Sequence, residues 1–117
     1  MSFFLKWLKP DLKSRVGLRP HRKLTVEMTW DAAYVRALEL LDSRLGANVT
    51  IDDRRGGFIE AGFGLINSER VRVTLERQSD LLTGVRIEAF YPAGATVPER
   101  SRYVDALADA LESGVTP

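Results

Sequence analysis

Four consecutive segments between residues 48 and 91 alternate apolar and polar side chains, and this pattern constrains the fold more tightly than any other feature of the chain. Successive side chains of a strand point to opposite faces, so each segment sends one set inward and the other to water. Residues 70–77 give Val71, Val73 and Leu75 as the inward set, with Arg70, Arg72, Thr74 and Glu76 outward. Residues 85–91 place Val85, Ile87, Ala89 and Tyr91 inward. Residues 58–66 put Ile59, Ala61, Phe63 and Leu65 on one face, and Phe58, Glu60, Gly62 and Gly64 on the other. Residues 48–53 alternate as well. Between them Arg54-Arg55-Gly56-Gly57 reads as a hairpin turn, because the glycines accept positive φ. Residues 67–69 form a second turn, residues 79–84 a looser connection, and Pro92 and Gly94 end the last strand. Such short connections make the four strands antiparallel.

A sheet with one apolar face needs a cover, and two amphipathic helices supply it. In the first, Tyr34, Leu38, Leu41 and Leu45 recur at helical spacing, with Thr29 as N-cap, Asp31 in the first turn and Gly46 as a left-handed stop. Trp30 at its start reads as a core anchor. The second carries Tyr103, Val104, Leu107, Ala108 and Leu111, stopped by Gly114. Thr96-Val97-Pro98-Glu99 has the form of its capping box, Thr96 as N-cap and Glu99 reaching back. Ahead of the first helix, Leu24, Val26 and Met28 mark one more strand. The expected fold class is α+β: a single curved antiparallel sheet of about five strands, in the order β-α-β-β-β-β-α, with two helices packed on one face.

Several chemistries are excluded by what the chain lacks. With no cysteine, disulfides, thiolate zinc sites and cysteine nucleophiles are ruled out. The single histidine, His21, leaves no Ser-His-Asp triad and no histidine-based metal site in the core of one chain. Asp52 and Asp53 are adjacent in a strand, so they diverge and are expected to shape the turn beside Arg54 and Arg55. The glycines match no phosphate loop, since no Gly-Lys-Ser/Thr follows them. No catalytic, cofactor-binding or metal-binding residue is assigned, and the chain is read as a non-enzyme.

The order β-α-β4-α over residues 24–114 resembles the helix-grip or TATA-binding-protein-like architecture of small bacterial domains, some of them membrane-associated. Arg54-Arg55-Gly56-Gly57-Phe58-Ile59-Glu60 is similar to a charged-Gly-Gly-apolar hairpin found in some of these. The resemblance implies a sheet wrapped around a helix with its opposite face open. It carries over no functional residue.

Charge is where function shows. Residues 1–23 hold all four lysines and carry a net charge of +6, whereas the remaining 94 residues carry −5. The basic segment interleaves Phe3, Phe4, Leu5, Trp7 and Leu8 with Lys6 and Lys9, and is too short in apolar residues to span a bilayer. We therefore divide the chain into a basic, aromatic N-terminal arm (1–23), one α+β domain (24–114) and a tail (115–117). The expected partner-binding residues are Phe3, Phe4, Lys6, Trp7, Lys9, Lys13, Arg15, Arg19, Arg22 and Lys23, contacting a protein partner or an anionic membrane surface, with folding of the arm back onto its own domain as the structural alternative. Phe58 and Phe90 fall on the polar sheet face and mark a candidate interface, such as a homodimer through that face. Nucleic acid is disfavoured on that face by Glu27, Asp52, Glu60 and Glu88. The expected function is a non-enzymatic interaction module working in the cytoplasm or at its membrane periphery. The alternative is a small apolar-ligand carrier with a cavity between sheet and helix.

Overall fold

The computed structural model describes residues 19–64 and 69–113. Within them the chain runs β1 (His21–Val26), α1 (Trp30–Glu39), one π-helical turn (Leu40–Arg44), β2 (Asn48–Asp53), β3 (Phe58–Phe63), β4 (Glu69–Ser79), β5 (Leu82–Phe90) and α2 (Arg102–Ser113). The five strands form one open antiparallel sheet in the order β1-β5-β4-β3-β2. This is the α+β arrangement expected from the alternation. Val26, Ile59, Ala61, Phe63, Val71, Val73, Leu75, Val85, Ile87 and Ala89 are all buried and belong to a single core cluster. Both helices complete that cluster, α1 with Ala33, Tyr34, Ala37 and the following Leu40 and Leu41, α2 with Val104, Leu107, Ala108 and Leu111. Leu65, the turn at 67–68, Gly114 and the tail lie outside the described residues.

Helix α1 sits rotated from the expected stripe. Its buried face is centred on Ala33 and Ala37 rather than on Leu38 and Leu45, which are only partly buried. Alanine lets a helix backbone approach a sheet closely, and the larger Tyr34, Leu40 and Leu41 then pack around that contact. Thr29 caps the helix as expected, accepting the Ala32 N–H at 3.2 Å. At the far end the Ala47 N–H reaches back to the Leu41 carbonyl at 2.8 Å across Gly46 (φ 65°), the left-handed closure for which a glycine is suited. Trp30 stacks on Tyr34 (centroids 5.2 Å apart) and donates its indole N–H to the Leu75 carbonyl at 3.2 Å.

Strand β2 departs from simple alternation. Its register against β3 shifts between Val49 and Ile51, so Ile51 lies opposite Glu60 and Asp52 opposite Ile59. Residues directly opposite in an antiparallel pair share a face. The bulge therefore turns Ile51 to the open face, 38% exposed, and Asp52 to the helix side, where it stays exposed at the edge and its carboxylate accepts the Tyr34 hydroxyl at 2.5 Å. This overturns the expectation of Asp52 on the outer face. Asp53 shapes the turn as expected, accepting the Gly56 N–H at 2.8 Å through its side chain and the Gly57 N–H at 2.8 Å through its carbonyl. Gly57 (φ 80°) in turn accepts the Leu75 N–H, and a Cβ there would stand 3.2 Å from the Leu75 carbonyl oxygen.

The ends of three further elements also differ. Strand β1 begins at His21 rather than Leu24, and the Pro20 carbonyl already accepts the Ala89 N–H. The β4–β5 hairpin is tight, pairing Ser79 with Leu82 where a looser connection was expected. Polar Thr83 broke the sequence pattern there, yet it is fully buried because its hydroxyl donates to the Met28 carbonyl at 3.0 Å. Helix α2 starts at Arg102, not at the Thr96 capping box. Residues 96–100 are exposed and non-helical. The residue before a proline avoids the helical region, so Val97 keeps this stretch extended and Ser101 takes over as cap. Its hydroxyl oxygen accepts the Val104 N–H at 3.2 Å and its O–H donates to Glu69 on β4. Ser101→Ala should accordingly cost about 1–2 kcal/mol, and Thr96→Ala under about 0.5 kcal/mol, as read from urea-unfolding midpoints.

Candidate functional site

The sheet face away from the helices is built from outward positions of all five strands. At one level Lys23, Arg86, Thr74, Phe58 and Asp53 lie side by side, and at the next His21, Glu88, Arg72, Glu60 and Ile51. Phe90, Arg70, Gly62 and Asn48 follow. Alternation alone therefore places Phe58 and Phe90 correctly on this face.

Neither phenyl ring is bare. The Arg72 guanidinium lies 4.6 Å from the Phe58 centroid, and that of Arg19 lies 4.4 Å from the Phe90 centroid. A guanidinium over a ring is attracted by its negative face and covers its apolar surface. Arg72 also binds Glu60 across the β3–β4 pair, with Nε to Oε2 at 2.7 Å. Arg86 holds Glu88 two residues along its own strand at 2.9 Å. Two carboxylates and two aromatics are thus each matched to an arginine. The face works as a hydrogen-bonding and stacking surface rather than as a greasy patch.

Two shallow recesses open on this face. The larger, about 360 Å³, surrounds Gly84 and is bordered by Lys23, Thr25, Thr74, Gln78 and Arg86. A Cβ at Gly84 would stand 2.6 Å from Nε2 of Gln78, whose amide end lies across the strand and is free to swing aside. Sequence reading missed this recess. Gly84 was expected to close the loose connection at 79–84, and only its place within β5 makes it a point of close approach for another group. The smaller recess, about 260 Å³, lies between Glu60, Arg70, Arg72 and Phe90. The described residues contain no group of three or more carboxylate, histidine or cysteine side chains placed to share a metal ion.

The expected partner-binding residues divide sharply. Phe3, Phe4, Lys6, Trp7, Lys9, Lys13 and Arg15 lie outside the described residues. Arg19 stacks on Phe90, and Lys23 borders the larger recess. Arg22 points to the helix side, where it meets Asp105 at 3.1 Å, Asp109 at 3.5 Å and Glu112 at 3.6 Å on α2. Its charge is engaged within the fold. The reason is register: Arg22 opposes Ile87, an inward position, so its long side chain must leave under the helix.

No family model matches the chain, and no curated protein matches it.

The Arg22 cluster sets a pH response. Burial pushes the Asp105 carboxyl up, but hydrogen bonds from Arg100 and Arg22, with their charges, outweigh it and leave Asp105 below its usual 3.8. A carboxyl depressed in the folded state stabilises above its unfolded pKa, and that contribution is lost as pH falls through the folded value. The stability gap between native chain and Asp105→Asn should therefore be constant from about pH 5 upward and shrink below about pH 4, measured by denaturant unfolding across that range.

Proposed function

We propose that this chain is a non-enzymatic interaction module, in which a compact acidic domain carries a basic, aromatic N-terminal arm to an anionic surface. That surface is a membrane leaflet or the acidic face of a protein partner, and the arm residues that contact it are Phe3, Phe4, Lys6, Trp7, Lys9, Lys13 and Arg15. The observation that carries the reading is the division of charge, +6 in residues 1–23 against −5 in the rest. The destinations of the described cations support it. Arg22 belongs to the fold through α2 and Arg19 through Phe90, so the cations left for a partner are Lys23, exposed beside the larger recess, and those upstream of Arg19. An acidic body is repelled by the surface that attracts the arm, which orients the molecule with its domain held off. No helix among the described residues is long and apolar enough to cross a membrane.

The carrier alternative has less support. The space between sheet and helices is occupied by the side chains of one continuous core, with Tyr34, Leu40, Leu41 and Leu107 fully buried at its centre.

Co-sedimentation with vesicles tests the membrane form of this reading. The full chain should pellet with vesicles rich in phosphatidylserine and remain in solution with phosphatidylcholine alone. Reversing Lys6, Lys9 and Lys13 to Glu should abolish pelleting while leaving the far-ultraviolet spectrum unchanged. Equal binding to both vesicle types, or binding untouched by the reversal, would refute it.

A further inference from the structure

The rotation of α1 leaves a second stripe on that helix that the described residues cover only in part. Val35, Leu38, Glu39 and Asp42 follow one another at i, i+3, i+4 and i+7, so they line one flank of the helix and the turn after it. That flank faces β2, and between them lies a groove of about 350 Å³ lined by Val35, Leu38 and Val49 and rimmed by Glu39, Asp42 and Asp52. Its floor is apolar and all three ionisable groups lining it are acidic. Val35 is 41% exposed although it is aliphatic and sits on a helix that packs tightly elsewhere. The volume is at the lower end for small-molecule pockets, which run from about 300 to 1,000 Å³, and the groove is open along its length. A few side chains projecting from a peptide suit it better than a whole enclosed ligand.

We infer that this groove is the docking site of the chain's own residues Phe3–Lys9, bound within the same molecule. The segment is the chemical complement of the groove: Phe3, Phe4, Leu5, Trp7 and Leu8 for the apolar floor, Lys6 and Lys9 for the carboxylate rim. At helical spacing Lys6 and Lys9 fall on one side, and Phe4, Leu5 and Leu8 on another. Reach is sufficient. Strand β2 stands at the opposite edge of the sheet from β1, four strand spacings or about 19 Å away, and turning that edge from the open face, where Arg19 lies, to the helix layer adds about 10 Å. The chain between Lys9 and Arg19 spans up to about 33 Å when extended. Tethering places the segment at about millimolar effective concentration, so a weak contact suffices to fill the groove in its own molecule before a neighbour's. Screening matters too, because the rim acts on the lysines through solvent-exposed charge.

The absence of cysteine makes a direct test possible. A nitroxide placed on the full chain through Ser43→Cys sits on the groove rim, and one placed through Thr74→Cys sits on the open sheet face. Paramagnetic broadening of the amides of residues 3–9 is then read by NMR. The Ser43 label should broaden them several-fold and the Thr74 label should not. Salt at about 1 M, where the Debye length falls to about 3 Å, should sharpen them again. Adding Val35→Lys, an exposed change that leaves the core untouched, should also release them. Sharp signals with the Ser43 label, or equal broadening from both labels, overturn the inference. So does broadening that persists when isotope-labelled chains without nitroxide are mixed with nitroxide-labelled ones, since the segment then occupies a second copy. No vesicle is present, so this result and the membrane reading stand or fall separately.

Discussion

The approach of α1 to the sheet, set by Ala33 and Ala37, governs the remainder of the structure. Both alanines are fully buried, and with no bulk at that contact the helix settles deep between the inner side chains of β4 and β5. Tyr34 is then driven toward β2, and its hydroxyl must find a partner away from water. The bulge in β2 provides one by turning Asp52 to the helix side. Burial together with the neighbouring carboxylate raises the Tyr34 pKa well above its usual value, so the phenol stays a donor throughout the physiological range. A helix rotation, a strand irregularity and a buried hydrogen bond are therefore one device. Leu38, left at the margin of the core by the same rotation, and the exposed Val35 become the floor of the flank groove.

The sheet was legible in the sequence because its constraint is binary. A strand residue faces in or out, and Val71, Val73, Leu75, Val85, Ile87 and Ala89 leave no second solution. Helix orientation was less legible, because large apolar residues dominate a periodicity argument while small ones decide how closely a helix approaches. Of the expected stripe, Tyr34 and Leu41 are fully buried, while Leu38 and Leu45 pack only partly against the core. Thr83 and Arg22 misled in a related way. Each is polar at an inward position, and each is accommodated by a partner distant in sequence, Met28 for one and α2 for the other. The false capping box at Thr96 shows that a local motif yields when a better cap lies downstream, here Ser101 with Glu69 as its second partner. Phe58 and Phe90 were placed on the correct face, but the arginines that cover them come from a neighbouring strand and from the chain before β1.

Charge is distributed with the same economy. Arg72 and Arg86 on the open face are matched to carboxylates or rings, and Arg22 and Arg100 at the foot of α2 to Asp105. The groove flank stands apart, since its lining residues bring carboxylates and no cation. An arm rich in lysine and aromatics thus has two kinds of anionic destination open to it, one external and one on its own domain. Competition between them would make exposure of the arm depend on the surface it meets.

The bulge at Thr50 has one more consequence. An outermost strand with a regular hydrogen-bonding rim invites another chain to extend the sheet, which is how orderly folds begin to form fibrils. In β2 the broken register spoils that rim, and the exposed Asp52 carboxylate sets a charge beside it that an incoming strand would have to accommodate. The irregularity that seats one phenol thereby also guards the molecule's most vulnerable border.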